Sequence, residues 1–243
     1  MQIKILDDAA SVAQRAAGLI ASEAKVAIVD HGHFVFAVSG GNTPWLMLRE
    51  LAGRDLAWDA IDIVQVDERI APDGDSDRNF THITESLREA PLGSQQIHAM
   101  PVTSVDLEAA AAQYAATLQR IAGSPPEIDL VHLGLGADGH TASLVPGDPV
   151  LEVTDRDVAI TGTYQGRRRM TLTYPLLARA RRIVWVVTGK EKAEALRRLW
   201  IGDPTIPAGR VRRDWALILA DCPAATLLEG DRSITGNKEG TCV

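Results

Sequence analysis

Phe34-Val-Phe-Ala-Val38, followed at once by Ser39-Gly-Gly-Asn-Thr-Pro44, decides the fold class of this 243-residue chain. An unbroken apolar run of this length, without alternation, reads as a strand buried on both faces, as in a parallel sheet covered by helices. Glycines then turn the chain, and Pro44 suits the first position of a helix. The same grammar recurs. Ile61-Asp-Ile-Val-Gln-Val66 leads into Asp67-Glu-Arg69, Asp129-Leu-Val-His-Leu133 into Gly134-Leu-Gly-Ala-Asp-Gly-His140, and Ile183-Val-Trp-Val-Val187 into Thr188-Gly-Lys-Glu-Lys192. In open α/β sheets ligands bind beyond the carboxyl ends of the strands. These strand ends therefore describe one composite site, suited to an anionic small molecule.

Outward from these units the alternation continues. Gln2–Leu6 reads as an edge strand. Asp7 or Asp8 caps a long helix with Val12, Ala16, Leu19, Ile20 and Ala24 on one face. Helices are expected over 44–52, 79–89, 107–122 and 191–200, and a last buried strand over 215–220. Pro146, Gly147, Pro149, Gly162 and Gly166 break up the stretch from Val145 to Arg168, leaving one short strand at 158–163. A further strand at 170–174 fits a small subsidiary sheet. The fold class is α/β, with a mostly parallel central sheet flanked by helices. No linker divides residues 1–228, so one domain is expected, and the polar segment 229–243 reads as a loose tail.

A formal charge of −7 argues against nucleic acid or an anionic membrane as the partner. No apolar run approaches the roughly 18–20 residues that span a bilayer. The first eight residues carry no signal-peptide core. Cys222 and Cys242 make neither a metal nor a disulfide pattern, which fits a reducing cytoplasm. No surface stripe marks a partner interface, and a monomer is the simpler expectation.

Ser39, Gly40, Gly41, Asn42 and Thr43 have the make-up of a phosphate cup. The glycines admit the backbone close to a ligand, two hydroxyls flank them, and the free N–H groups of a helix start face the anion. Gly134-x-Gly-x-x-Gly139 matches the dinucleotide fingerprint by letter. Yet Pro146-Gly-Asp-Pro149 allows at most about two helical turns after it, too few for that site. The segment suits proton chemistry better. A histidine such as His140 is the side chain suited to a general base near neutral pH, and Asp138 stands ready to orient it. Asp67 and Arg69 place a carboxylate and a guanidinium at a strand end, and Arg69 suits a phosphate or an oxyanion. Arg167-Arg-Arg169 and Lys192 supply further cations. His31 and His33 flank a glycine without an apparent third ligand, and His82, His98 and His132 read as structural. No metal site and no cofactor are expected.

Taken together, Ser-Gly-Gly-Asn-Thr-Pro, Val-Asp-Glu-Arg, Gly-x-Gly-x-Asp-Gly-His-Thr-Ala-Ser-Leu, Arg-Met-Thr-Leu-Thr and Thr-Gly-x-x-Lys-Ala occur in one order over about residues 35–195. In this they resemble the 6-phosphogluconolactonases of the glucosamine-6-phosphate isomerase/6-phosphogluconolactonase superfamily. The resemblance implies a Rossmann-like sheet with a small accessory sheet. It implies hydrolysis of 6-phospho-D-glucono-1,5-lactone to 6-phospho-D-gluconate in the oxidative pentose phosphate pathway, without a cofactor. His140 matches the water-activating histidine, and Ser39, Gly40, Gly41 and Thr43 match the phosphate loop. Arg169 and Lys192 match the cations expected near the phosphate, and Asp67 and Arg69 the strand-end pair facing the substrate. Arg69, or backbone N–H groups from Gly139 onward, would hold the oxyanion.

Two rivals use the same scaffold. Glucosamine-6-phosphate deaminases carry a glutamate where this chain has Val145, and valine cannot relay a proton. A non-catalytic sugar-phosphate sensor would have no need of His140 or Asp67. The chain departs from the lactonase pattern at Val145 and at Arg78, which precedes Asn79 and either adds a contact or blocks one.

Overall fold

The structure, a computed structural model, describes residues 1–93 and 95–228. In chain order its elements are β1 (Gln2–Leu6), α1 (Ala9–His31), β2 (Phe34–Val38), α2 (Asn42–Ala52), β3 (Ile61–Gln65), β4 (Asp67–Arg69), α3 (Asn79–Ser86), β5 (Ile97–His98), α4 (Leu107–Ala122), β6 (Leu130–Leu133), β7 (Val158–Ile160), β8 (Arg169–Leu172), α5 (Tyr174–Arg179), β9 (Arg182–Val187), α6 (Ala193–Ile201) and β10 (Ala216–Asp221). Seven strands form a sheet in the order β1-β10-β9-β6-β2-β3-β5, every pairing parallel. β4, β8 and β7 form a separate antiparallel sheet.

The apolar runs are continuous because both faces of the large sheet are covered. Successive residues of β2 feed opposite cores. Phe34, Phe36 and Val38 pack with Met47, Leu48 and Leu51 of α2, Val12 and Ile20 of α1, and Ile83 of α3. Val35 and Ala37 face the other core, with Tyr114 and Leu118 of α4, Leu176 of α5, Leu196 of α6 and Met170 of β8. Asp8 caps α1 by accepting from the Ser11 N–H at 2.8 Å. The chain runs outward from β2 to β3 and β5, then returns to β6 on the other side of β2. The break in winding between β2 and β6 is the point where such sheets bind ligands.

Several expectations need correction. The run expected as one strand, 61–66, spans two sheets. Val66 donates to the Val38 carbonyl at 3.0 Å and accepts from the Leu172 N–H at 2.8 Å, after which Asp67–Arg69 pairs with β8. Asp67-Glu-Arg69 is therefore a strand of its own, not the end of the preceding one. Tyr174 opens helix α5 instead of ending a strand, because Pro175 stands in its first turn. No α-helix follows Gly139: residues 134–148 form tight turns, closed by a bridge between Thr141 and Leu144. Cys222 is disulfide-bonded, contrary to the expectation of an unpaired thiol. Cys242 and the tail expected at 229–243 lie outside the described residues. Among those described, no helix is long and apolar enough to cross a membrane.

Candidate active site

A cleft of about 320 Å³ opens at the carboxyl ends of β2, β6 and β9. It is lined by Ser39, Gly40, Gly41, Asn42 and Thr43, by Asp67, Arg69 and Arg169, and by His140 and Lys192. Of the residues singled out from the sequence for this site, Asp138, Gly139, Arg167 and Arg168 are not on its wall.

The Ser39–Thr43 loop forms as its composition dictates. Gly41 has a φ of +137° and is the N-cap of α2, with no side chain satisfying the helix start. The first N–H groups of α2 are thereby left to a ligand. The Thr43 and Thr188 hydroxyls lie 2.7 Å apart and join this loop to the end of β9. The Ser39 N–H donates to His132 Nδ1 at 3.3 Å. His132 lies wholly inside β6, where burial pushes its imidazole down to about 3 and keeps it neutral.

Period-two alternation sorts the small sheet. Asp67 and Arg69 face the cleft, while Glu68 points inward and is fully buried. Glu68 accepts from Gln65 Nε2, the N–H groups of Arg69, Asn79 and Phe80, and Arg78 Nε, at 2.8–3.1 Å. Arg78 is itself buried and also donates to Asp73 Oδ1 at 2.6 Å. It balances Glu68 and neither contacts nor blocks the cleft. Asp67 accepts from the Ser39 hydroxyl at 3.1 Å and the Ser143 hydroxyl at 2.7 Å, tying β2, β4 and the His140 loop together. Its carboxylate orients hydroxyl groups.

Arg69 and Arg169 are directly opposed on the β4–β8 ladder. Like charges so placed repel. Both guanidinium groups keep a buried Nε with no hydrogen-bond partner. Arg69 is steadied by donating to the Asp77 carbonyl at 2.7 Å and Asn79 Oδ1 at 3.0 Å. Arg169 is 5% exposed, and burial, opposed by Asp67, holds its pKa below the ordinary value. Of the three consecutive arginines, Arg169 is the one on the cleft wall. Arg167 is spent on Asp75 and Asp77, and Arg168 is exposed. Lys192 is half-buried and also lines the cleft.

His140 Nδ1 lies 2.6 Å from Asp138 Oδ1, which also accepts the His140 N–H at 3.1 Å. A carboxylate only accepts, so the ring proton sits on Nδ1 and Nε2 keeps its lone pair. Burial raises the Asp138 carboxyl, but the bonds from His140 and from the Tyr164 hydroxyl outweigh it and hold the group below its ordinary value. Gly136 leaves room for this pair: a Cβ there would meet His140 Nδ1 at 2.0 Å. Ala142, on the wall, has a φ of 52°, a strained conformation of the kind that gathers at functional sites.

Of the expected oxyanion donors from Gly139 onward, the first three are already engaged within the chain. The Gly139 N–H bonds to the Gly136 carbonyl, that of His140 to Asp138, and that of Thr141 to the Leu144 carbonyl. Gly139 turns the chain at a φ of +85° against Ile206. The absence of a third ligand near His31 and His33 also needs correction. Asp129 joins them within 4.8 Å, the one cluster among the described residues close enough to hold a metal. It lies at the amino ends of β2 and β6, away from the cleft.

Sequence reasoning missed Ser143, Thr188 and Tyr164 as individuals. Ser143 and Thr188 stand within motifs already noted, but their partners are far along the chain. Nothing in the local sequence marks Tyr164.

The sequence profile described as glucosamine-6-phosphate isomerases/6-phosphogluconolactonase matches residues 7–219. A 6-phosphogluconolactonase of Synechocystis is 37% identical over 201 residues, covering 80% of this chain and 83% of that protein. Its counterpart from Nostoc is 34% identical over 199 residues, covering 80% and 82%. The crystal structure of 6-phosphogluconolactonase from Thermotoga maritima superposes with a TM-score of 0.81 at 25% identity, covering 90% of this chain and 98% of that one. With the parallel sheet, the small antiparallel sheet and the motif order in agreement, the chain belongs to the glucosamine-6-phosphate isomerase/6-phosphogluconolactonase family.

Proposed function

We propose that the protein hydrolyses 6-phospho-D-glucono-1,5-lactone to 6-phospho-D-gluconate, the lactone-opening step of the oxidative pentose phosphate pathway. The observation that carries this reading is the pairing of two opposed arginines, each with an unsatisfied buried Nε, with a histidine whose Nε2 is free. Guanidinium donors left without a partner suit an anion, and the histidine supplies a base beside it.

The phosphate sits at the N-terminus of α2 with Lys192 and Arg169, and the lactone carbonyl lies above His140. His140 Nε2 takes a proton from water as the oxygen attacks C1. The carbonyl oxygen becomes an alkoxide held by Arg69. When the tetrahedral adduct collapses, the bond from C1 to the ring oxygen breaks. That oxygen takes the proton from the imidazolium, leaving a hydroxyl and a carboxylic acid that ionises. General-base catalysis contributes about 10²–10⁴-fold. Asp138 keeps the ring in the right tautomer and offsets its transient charge.

The deaminase reading is disfavoured because buried Val145 stands where a proton-relaying glutamate would be needed. The test is hydrolysis of freshly generated 6-phosphogluconolactone above the spontaneous rate, with unphosphorylated gluconolactone alongside. His140→Ala is expected to lose at least about 10²-fold in kcat. Full turnover by that variant would remove His140 as the base. Binding of 6-phosphogluconate without any turnover by the wild type would favour the sensor reading.

A further inference from the structure

Tyr164 lies behind the cleft wall, not on it, at the tip of the hairpin between β7 and β8. Gln165 and Gly166 have φ of 50° and 80°, and Tyr164 and Arg167 exchange backbone hydrogen bonds at 2.9 and 3.2 Å. Positive φ at both central residues is the two-residue turn that matches strand twist. The hairpin tip is anchored to a different loop, because Arg167 donates to Asp77 at 2.8 Å and reaches Asp75 at 3.3 Å.

From this fixed tip Tyr164 touches both halves of the site. Its hydroxyl donates to Asp138 Oδ2 at 3.1 Å, the oxygen not used by His140. Its ring meets the His140 ring edge-to-face, with centroids 5.4 Å apart. The Arg169 guanidinium carbon lies 5.1 Å from the centre of the same ring. The hydroxyl stays protonated: burial and the Asp138 carboxylate both raise its pKa.

We propose that Tyr164 is a positioning residue that fixes the His140–Asp138 pair against Arg169, so that the seat of the substrate's anion and the attack geometry of the base are set by one side chain. The inference rests on the lactonase reading for its kinetics, but its structural core does not need turnover. By sharing the Asp138 carboxylate, the hydroxyl limits how strongly that carboxylate holds a protonated His140. Asp67, Arg69, Arg169, Glu191 and Lys192 also line the cleft that His140 faces, and none of them is altered by a change at Tyr164.

The test compares Tyr164→Phe with Tyr164→Leu. Phe keeps the ring beneath Arg169 and removes the hydroxyl. Its kcat is expected to fall about 10- to 100-fold with KM within about twofold, the size of one lost hydrogen bond to a charged group. The midpoint of the acid limb of the pH–rate profile should move up. Leu should show the same kcat loss and, in addition, a several-fold rise in KM that Phe does not share. An NMR titration of the His140 imidazole signal, assigned with His140→Gln, reports the midpoint without catalysis. It is expected to rise in Tyr164→Phe. An unchanged NMR midpoint together with wild-type binding of 6-phosphogluconate by Tyr164→Leu would overturn the proposal, whatever the turnover. Loss of thermal stability in either variant without a shift in midpoint would mean that Tyr164 only packs the hairpin. If the wild type shows no lactonase activity, the functional reading fails, and the NMR and binding measurements still decide the role of Tyr164.

Discussion

Gly136→Ala isolates the placement of the base from every other part of the site. Gly136 is not among the glycines with positive φ, so alanine has no backbone strain to overcome. The obstacle is steric. A Cβ would lie 2.0 Å from His140 Nδ1, 2.3 Å from Cε1 and 2.5 Å from Asp138 Oδ1. Non-bonded carbon contacts settle near 3.5 Å, so ring and carboxylate must retreat by about 1 Å or more. The 2.6 Å bond between His140 and Asp138 breaks in doing so. A misplacement of about 1 Å costs roughly 10²-fold in rate, and complete loss of a general base up to about 10⁴-fold. These factors correspond to about 2.7–5.4 kcal/mol of transition-state stabilisation. The Ser39–Thr43 loop, Arg169 and Lys192 lie on other segments, so KM for the lactone and Kd for 6-phosphogluconate should stay within about threefold. Steady-state kinetics with the spontaneous rate subtracted, calorimetric titration with 6-phosphogluconate and a thermal melt form the assay. If the folded variant turned over within threefold of wild type, the His140–Asp138 geometry would not be what drives hydrolysis.

Other perturbations probe the supporting structure. His132 is held neutral, so below pH of about 6.5 the unfolded chain binds a proton that the native state refuses until about 3. Stability should therefore fall as pH drops through that window, by on the order of 5 kcal/mol at its end. His132→Asn keeps an acceptor for the Ser39 N–H and should flatten this dependence in urea titrations at pH 7, 5 and 4. An unchanged pH slope would remove His132 as the cause. Glu68→Gln puts an amide among donors, including Arg78, and should lower stability by about 3–5 kcal/mol. A urea midpoint equal to wild type would show that the network is not strained by the change. Lys192→Ala should raise KM for the phosphorylated lactone by about 10- to 100-fold, the worth of one charged hydrogen bond, with unphosphorylated gluconolactone unaffected. Equal effects on both substrates would place Lys192 away from the phosphate.

How much was legible in advance depended on range. The buried strands and long helices are local signals, and Phe34–Val38, Ala9–His31 and Leu107–Ala122 all form where their patterns require. The turn at Ser39–Thr43 was equally legible, because Gly-Gly before Asn-Thr-Pro carries a strand into a helix start. His140 and Asp138 lie two residues apart, so their pairing was within reach of the sequence. The passage of 61–69 from one sheet to another was not, because what splits that run is its pairing with β8, about a hundred residues later.

Sequence by itself determined the α/β class, the ends of the strands on which chemistry would gather, and the residue types gathered there. Tertiary structure decided what each group is free to do. It opposed Arg69 to Arg169, spent Arg167 on Asp75 and Asp77, and buried Arg78 against Glu68. It closed the N–H groups of Gly139, His140 and Thr141 into turns and brought Tyr164 up behind His140 and Arg169. Composition gives a side chain its chemistry. Whether a cation is left uncompensated, or a lone pair left open, depends on partners that only the folded chain brings within about 3 Å.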